Sequence, residues 1–289
     1  SPPIFKYALQ GVPPFTLATI RFMGAALIFL PFALRHFSYI TRKQLLYSLL
    51  GGFIGVSIHI SAFFVGLQYA PSINVHMISS IGPMLLYIFS IIILSEKPHT
   101  QVLKGMMLAF GGVLVIFFAP VFGAGVNSGA SITHVLLGNA LFIIAMFASV
   151  GHIIVNKKIV KKVHPAALMS TQFFFGSLLF IPLMMGELQS WSFAALDTRG
   201  WIGILFGMLF ASAGAYFLLN QALRTITAQT VGIYSYIKPV VAVLVAIPLL
   251  GEVPNTTFII GAVLIFLGVY IAERHPHYHH VHRKMHRRG

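Results

Sequence analysis

Lys238 stands in YSYIKPVVAVLVAIPLLGEVP, a stretch from Tyr234 to Pro254 that is otherwise almost wholly apolar. A cation about ten residues into such a run either holds an anion or bonds a backbone carbonyl and locks two helices together. Arg21, in PPFTLATIRFMGAALIFLP, is a second cation inside an apolar run. It offers an anion site too, or anchors its helix by reaching toward the outer surface. Two serines precede prolines by one helical turn, Ser79 before Pro83 and Ser235 before Pro239. Proline leaves that earlier carbonyl without its helical partner, so each place sets a freed carbonyl beside a hydroxyl, a polar spot and a candidate kink. His76 shares a turn with Asn74 and Ser79, and Tyr234 adjoins Ser235. The candidate substrate-binding residues are therefore Lys238, Ser235, Ser79, His76, Asn74, Tyr234 and Arg21. No catalytic residue is assigned.

The acidic residues narrow the chemistry further. Glu96, Glu187, Asp197, Glu252 and Glu273 are all there are, and each falls at the end of an apolar run or between runs. No carboxylate is placed to neutralise Arg21 or Lys238 inside an apolar segment, so the counter-charge is expected to arrive with the ligand. A substrate bearing a carboxylate or phosphate fits this better than a purely cationic drug. A carboxylate proton relay is disfavoured, which leaves His59 or His76 as proton carriers, or simple exchange. A lone histidine in a helix bundle is more often a hydrogen-bonded structural residue than a ligand, which applies to His59, His76 and His152, with His76 the best functional candidate of the three. Cysteine is absent, which excludes disulfides and thiolate metal sites, and no cofactor or metal is expected.

The elements that hold these residues follow from hydropathy. Over 289 residues the chain is 57% apolar and 8% charged, with a mean hydropathy of +0.88, outside the range of soluble domains. Apolar runs long enough to cross a bilayer as helices are expected at Pro13–Leu34, Leu45–Tyr69, Ser72–Leu94, Val102–Val121, Thr133–Val155, Pro165–Gly186, Gly200–Ala222, Ala228–Leu250 and Thr256–Ala272. The opening SPPIFKYALQ reads as the end of a further helix whose start precedes Ser1, giving about ten spans. Arg35, Arg42, Lys43, Lys97, Lys104, the lysines from 157 to 162, Arg224 and the tail after Glu273 fall on alternate sides of the spans, so that side is expected to be cytoplasmic. The formal charge of +14 is thus a topology signal, and no nucleic-acid partner is expected.

The chain also repeats itself. IGPMLLYIFSIIILSEKPHTQVLKGMMLAFGGV aligns without a gap on IKPVVAVLVAIPLLGEVPNTTFIIGAVLIFLGV, pairing Ser79 with Ser235, Pro83 with Pro239, Glu96 with Glu252, Gly105 with Gly261 and Gly112 with Gly268. At a slightly different offset Pro14 pairs with Pro165, Arg21 with Gln172 and Pro31 with Pro182. Each half then holds about five spans. An odd number forces the halves into opposite orientation, the inverted-repeat arrangement of secondary transporters. Lys238 aligns with Gly82, so the lysine is expected to use space the glycine leaves. Pro83, Pro239 and Gly82 are the candidate hinges.

PPFTLATIRFMGAALIFLP resembles the second helix of the EamA-type drug/metabolite transporters, and GLQYAPSINVHMISSIGPMLLYIFSIIILSEKP and ALRTITAQTVGIYSYIKPVVAVLVAIPLLGEVP resemble their fourth and ninth helices. The resemblance spans essentially the whole chain. It implies an all-α membrane protein of about ten transmembrane helices, two inverted five-helix repeats around a central cavity, with the first helix truncated here. The halves are expected at 1–122 and 133–273, followed by a basic, histidine-rich tail at 274–289 that lies near anionic headgroups on the cytoplasmic side. The expected function is export of amino acids or related small carboxylate-bearing metabolites across the inner membrane. Multidrug export, or exchange of organophosphates or nucleotide sugars, is the alternative within transport; a polytopic membrane enzyme is the alternative outside it. The expected partners are a small-molecule substrate and the lipid bilayer, and a homodimer is compatible with the sequence.

Overall fold

Prolines punctuate this chain where helices start or bend. The computed structural model describes residues 2–37, 40–70, 72–118, 132–238, 240–241 and 256–273, and every regular element among them is helical. Helix α1 (Pro2–Ala8) turns through Val12 into α2 (Pro14–Leu34), whose first position is a proline that needs no N–H there. Thr41 opens α3 (Arg42–Tyr69) with a capping box to Gln44. The run expected to be one span from Ser72 to Leu94 is two helices, α4 (Ser72–Ser80) and α5 (Gly82–Leu94), with the break at Ile81. Pro83 has no N–H for the carbonyl of Ser79 and its ring crowds the preceding turn, which favours a break there. The α6 helix (Thr100–Phe118) and α7 (Ile132–Ile159) follow. The next expected span is also two pieces, α8 (Pro165–Leu178) and α9 (Phe180–Glu187), bent by 48°. Pro182 withholds the N–H that would have met Leu178, which accounts for the bend. Then come α10 (Thr198–Thr225), α11 (Ala228–Tyr234) and α12 (Thr256–Glu273).

Helices α3 and α10 are each 28 residues long, and each contains a π-helical stretch, Phe53–Ile58 in one and Phe206–Gly214 in the other. By length and composition α2, α3, α7 and α10 can each cross a membrane, and the bent α8–α9 pair can serve as a fifth span among the described residues. Shorter apolar stretches at Ile78–Leu94, Thr100–Val115 and Ile259–Ala272 accompany them. The second half of the expected Ala228–Leu250 span, residues 119–131, Pro239, Glu252 and the basic tail lie outside the described residues.

Three helix pairs organise the packing: α2 against α8, α3 against α7, and α6 against α12. The first pair centres a large core containing Leu17, Phe22, Phe64, Phe173 and Phe180, and the last pair a second core with Met106, Ile233, Tyr236 and Ile265. Where α6 crosses α12 the backbones touch. A Cβ on Gly105 would fall on the carbonyl oxygen of Gly268, and one on Gly268 would come within 2.7 Å of the Ala109 nitrogen. Small residues at such a crossing let dispersion contacts and weak backbone contacts form where lipid provides no hydrophobic drive. Large apolar residues such as Ile92, Phe210 and Leu218 point outward, as a lipid-facing surface requires.

Candidate functional site

Arg21 lies two turns into α2 and is 2% exposed, so it does not reach out to a surface. Its Nε donates to the hydroxyl of Ser212, 3.0 Å away in the π-helical stretch of α10. Its guanidinium carbon stands 4.5 Å from the ring centre of Phe5, 4.4 Å from Phe22 and 5.9 Å from Phe64. Phe5 in turn meets Phe63, Phe64 and Phe206 edge-on. Aromatic faces attract a cation by roughly 0.5–2 kcal/mol each, but they cannot accept its N–H groups as an oxygen would. The Nη1 group is buried with no hydrogen-bond partner among the described residues. An unmet donor of this kind costs on the order of 1–3 kcal/mol, more when charged.

His59 follows the π-helical stretch of α3 and pairs through Nδ1 with the Ala145 carbonyl of α7 at 2.8 Å. A carbonyl only accepts, so Nδ1 carries the proton and Nε2 is the accepting nitrogen of the neutral ring. Both Arg21 and Lys238 lie within electrostatic reach of this ring. The Lys238 side chain is exposed. Its backbone N–H donates to the Ser235 carbonyl at 3.2 Å.

The position that the repeat aligns with Arg21 has opposite surroundings. Gln172 of α8 is fully buried beside Asn156, His152 and Asn220. Gln172 Nε2 donates to Asn156 Oδ1 at 2.6 Å, and Asn156 Nδ2 donates to Asn220 Oδ1 at 3.0 Å and to His152 Nε2 at 3.1 Å. His152 Nδ1 donates to the Gly51 carbonyl at 2.9 Å, and Asn220 Nδ2 to the Tyr216 carbonyl at 3.0 Å. This network ties α3, α7, α8 and α10 together.

The remaining predicted residues are dispersed. Asn74 donates to Asn139 Oδ1 at 2.9 Å and so links α4 to α7. Ser79 is exposed at the end of α4, Ser235 donates to the Val231 carbonyl at 3.4 Å, and Tyr234 is exposed. The side chain of His76 lies outside the described residues, as does Pro239. Pro83 is buried in the first turn of α5. The vacant side of Gly82 faces Met146 and Val150 of α7, the nearer atom at 3.6 Å, and not Lys238. The expectation that the lysine fills the glycine's space is corrected: α7 fills it, because equivalent places in two repeats need not touch.

Three carboxylates, Glu187, Glu96 and Asp197, close helix starts. Glu187 accepts from the backbone N–H groups of Phe15 and Thr16 at 3.0 and 2.7 Å and from the Thr16 hydroxyl at 2.8 Å, closing the N-terminus of α2. Glu96 does the same for α11 through Ala228 at 2.9 Å and Gln229 at 3.4 Å. Asp197 caps α10 through Gly200 at 2.9 Å. Anionic groups are favoured at these positive helix ends. Ser212 and the phenylalanine cage escaped the sequence reading, since nothing local in the sequence marks a partner nearly two hundred residues away.

Comparison with known proteins places this geometry. Residues 1–118 and 136–273 match the EamA-like transporter family. The chain is 27% identical over 269 residues to the uncharacterized transporter YetK of Bacillus subtilis, covering 92% of this chain and 80% of that protein. It is 25% identical over 282 residues to a probable amino-acid metabolite efflux pump of Salmonella typhimurium, covering 93% and 88%. A solved crystal structure superposes with a TM-score of 0.71 at 15% identity, over 93% of this chain and 94% of that one, a likeness of fold alone.

Proposed function

Because the chain belongs to the EamA-like transporter family, we propose that it is a secondary transporter exporting amino acids or related small carboxylate-bearing metabolites by alternating access. The observation that carries the substrate class is the Arg21 guanidinium, buried in an aromatic cage with an open donor and with no carboxylate bonded to it among the described residues. A ligand carboxylate supplies the missing acceptor, and the rings around it exclude water and strengthen the contact. Lys238 adds a second cation, and His59 Nε2 a neutral group able to take a proton. The names of two relatives as probable amino-acid metabolite efflux pumps agree with this reading.

Alternating access between two inverted five-helix halves, at 1–122 and 133–273, has two supports. The π-helical helices α3 and α10 start and end at the same spacing that separates Ser79 from Ser235. In addition, Gly105 aligns with Gly261 but touches Gly268, while Gly112 aligns with Gly268 but touches Gly261. Such crossed contacts are what a two-fold relation between halves produces. Rocking would then pivot about the break at Pro83 and its counterpart Pro239, with the basic loops and the C-terminus on the cytoplasmic side of the inner membrane.

Counterflow in proteoliposomes tests the proposal. Labelled amino acid should accumulate against unlabelled internal amino acid with the wild type, and Lys238→Ala should abolish accumulation while its thermal midpoint holds. Chemical conversion of the label without accumulation, or unchanged accumulation in both Lys238→Ala and Arg21→Gln, overturns it.

A further inference from the structure

A cavity of about 360 Å³ opens on the basic side of the molecule, between the start of α3 and the turn from α7 to α8. Lys43, Lys158 and Lys162 line it together with Thr41, Gln44 and Tyr47. All three lysines are exposed, and none has a carboxylate partner among the described residues, where the ion pair found is Arg199 with Asp197. The two walls are tethered, since Gln44 Nε2 donates to the Lys162 carbonyl at 3.4 Å. Three cations without a carboxylate partner among the described residues surround one space and create a positive potential there. Thr41, Gln44 and Tyr47 add polar residues to the same lining.

What lies below the cavity decides its occupant. From Lys43 an exposed stripe runs down α3 through Leu46, Leu50 and Phe53. These positions recur on one helical face, and at about 1.5 Å per residue the stripe descends roughly 15 Å, half of a hydrocarbon core of about 30 Å. A soluble phosphate would use the lysines and leave the stripe unused. A lipid would use both, with its headgroup among the lysines and an acyl chain along the stripe. We propose that this cavity binds the phosphodiester headgroup of an anionic phospholipid in the leaflet facing the basic side. The site joins the first half of the chain, through α3, to the second, through α7 and Lys162. A bound lipid therefore bridges the two halves, independently of the transported substrate.

Native mass spectrometry of the protein released from micelles doped with phosphatidylglycerol tests this, with phosphatidylcholine and soluble glycerol 3-phosphate as separate additions. A lysine near an anionic headgroup contributes about 1 kcal/mol, or about fivefold in affinity, so Lys43→Gln/Lys158→Gln/Lys162→Gln should bind phosphatidylglycerol about a hundredfold more weakly. Lys97→Gln/Lys104→Gln/Lys161→Gln, equal in charge change but outside the cavity, should bind as the wild type does. The single variant Lys158→Gln alters one exposed side chain and should lose about fivefold, so the outcome does not hang on how well the triple variant folds. Equal binding by the two triple variants overturns the proposal. Retention of phosphatidylcholine or glycerol 3-phosphate as strong as that of phosphatidylglycerol overturns it as well, the first by showing no charge selection and the second by assigning the site to a free phosphate ester.

Discussion

Arg21 and Gln172 hold aligned places on two proline-led helices that pack against each other, α2 and α8, and their polar groups meet opposite fates. The amide of Gln172 is enclosed by Asn156 and, through it, by His152 and Asn220. The guanidinium of Arg21 has Ser212 and aromatic faces, and one of its donor groups has no partner among the described residues. A closed network rigidifies, because each member holds the next in place. A charged donor left open in a protein interior, where nearly all buried polar groups are bonded, marks a place that gains from a visitor. The two aligned positions thus differ, with a closed polar network around Gln172 and an open donor on Arg21, the group that the proposed function assigns to substrate.

The largest effect should come from cutting the knot. Asn156→Leu removes the partner of His152, Gln172 and Asn220 at once, and each stranded group costs about 1–3 kcal/mol. Thermal or denaturant unfolding in detergent should show a loss of at least about 3 kcal/mol, with substrate affinity of the folded protein unchanged. A loss of affinity without a loss of stability would reverse the two roles. Next comes Arg21→Gln, which makes the receptive side resemble the knot. Loss of a charge-assisted bond of about 2–3 kcal/mol should weaken carboxylate binding about thirtyfold to a hundredfold, while the thermal midpoint stays level or rises because a buried unpaired charge is gone. Unaltered binding isotherms with a lower midpoint would make Arg21 a structural residue like its counterpart.

The ends of the same two helices extend the contrast. The start of α2 is closed by the Glu187 carboxylate, and Glu187→Ala should cost about 1–2 kcal/mol in unfolding experiments. The start of α8 is capped by an imidazole: His164 Nδ1 accepts from the Ala166 N–H at 3.3 Å, and its ring stacks on His36 at 3.8 Å. Desolvation, then the nearby charges of His36 and Arg224, holds the His164 pKa below its ordinary value of 6.5. A histidine with a lowered pKa in the folded state favours unfolding when it is protonated. Its contribution is therefore complete above about pH 6.5 and declines as the pH falls through the window beneath it. The thermal midpoint should drop modestly between pH 7 and 5, and His164→Asn, which keeps a cap, should flatten that part of the profile. An unchanged slope in the variant would assign the pH dependence elsewhere.

Local chemistry made much of this readable beforehand. Apolar runs and sparse charge give the multi-pass helical class, the residues around Pro14, Pro83 and Pro239 give the family, and the position of five carboxylates predicts an interior without acids near Arg21. Pro83 and Pro182 carry the signal for the breaks in two expected spans, although a hydropathy window reads straight across both. Three things lay beyond a linear reading. The capping roles of Glu96 and Glu187 depend on partners more than a hundred residues away. The cage around Arg21 draws Phe5 and Phe64 from separate helices. Lys238 and Gly82 were expected to meet because they align, but alignment reports equivalence and not contact, and the atoms beside Gly82 are those of Met146 and Val150.

The π-helical stretches of α3 and α10 set the length these helices can tolerate. Each π-type bond spans one residue more than its α-helical counterpart, so the stretch stores surplus chain without turning the residues on either side out of register. Deleting one residue from Phe206–Gly214, Ala211 for example, should let the helix close into ordinary α-helix with Arg21's partner helix still facing inward, and the protein should still be recovered folded. The same deletion in the regular part of α2 has no surplus to draw on. It would swing every side chain on one side of the cut by about 100°, turning lipid-facing residues inward and core residues into the bilayer.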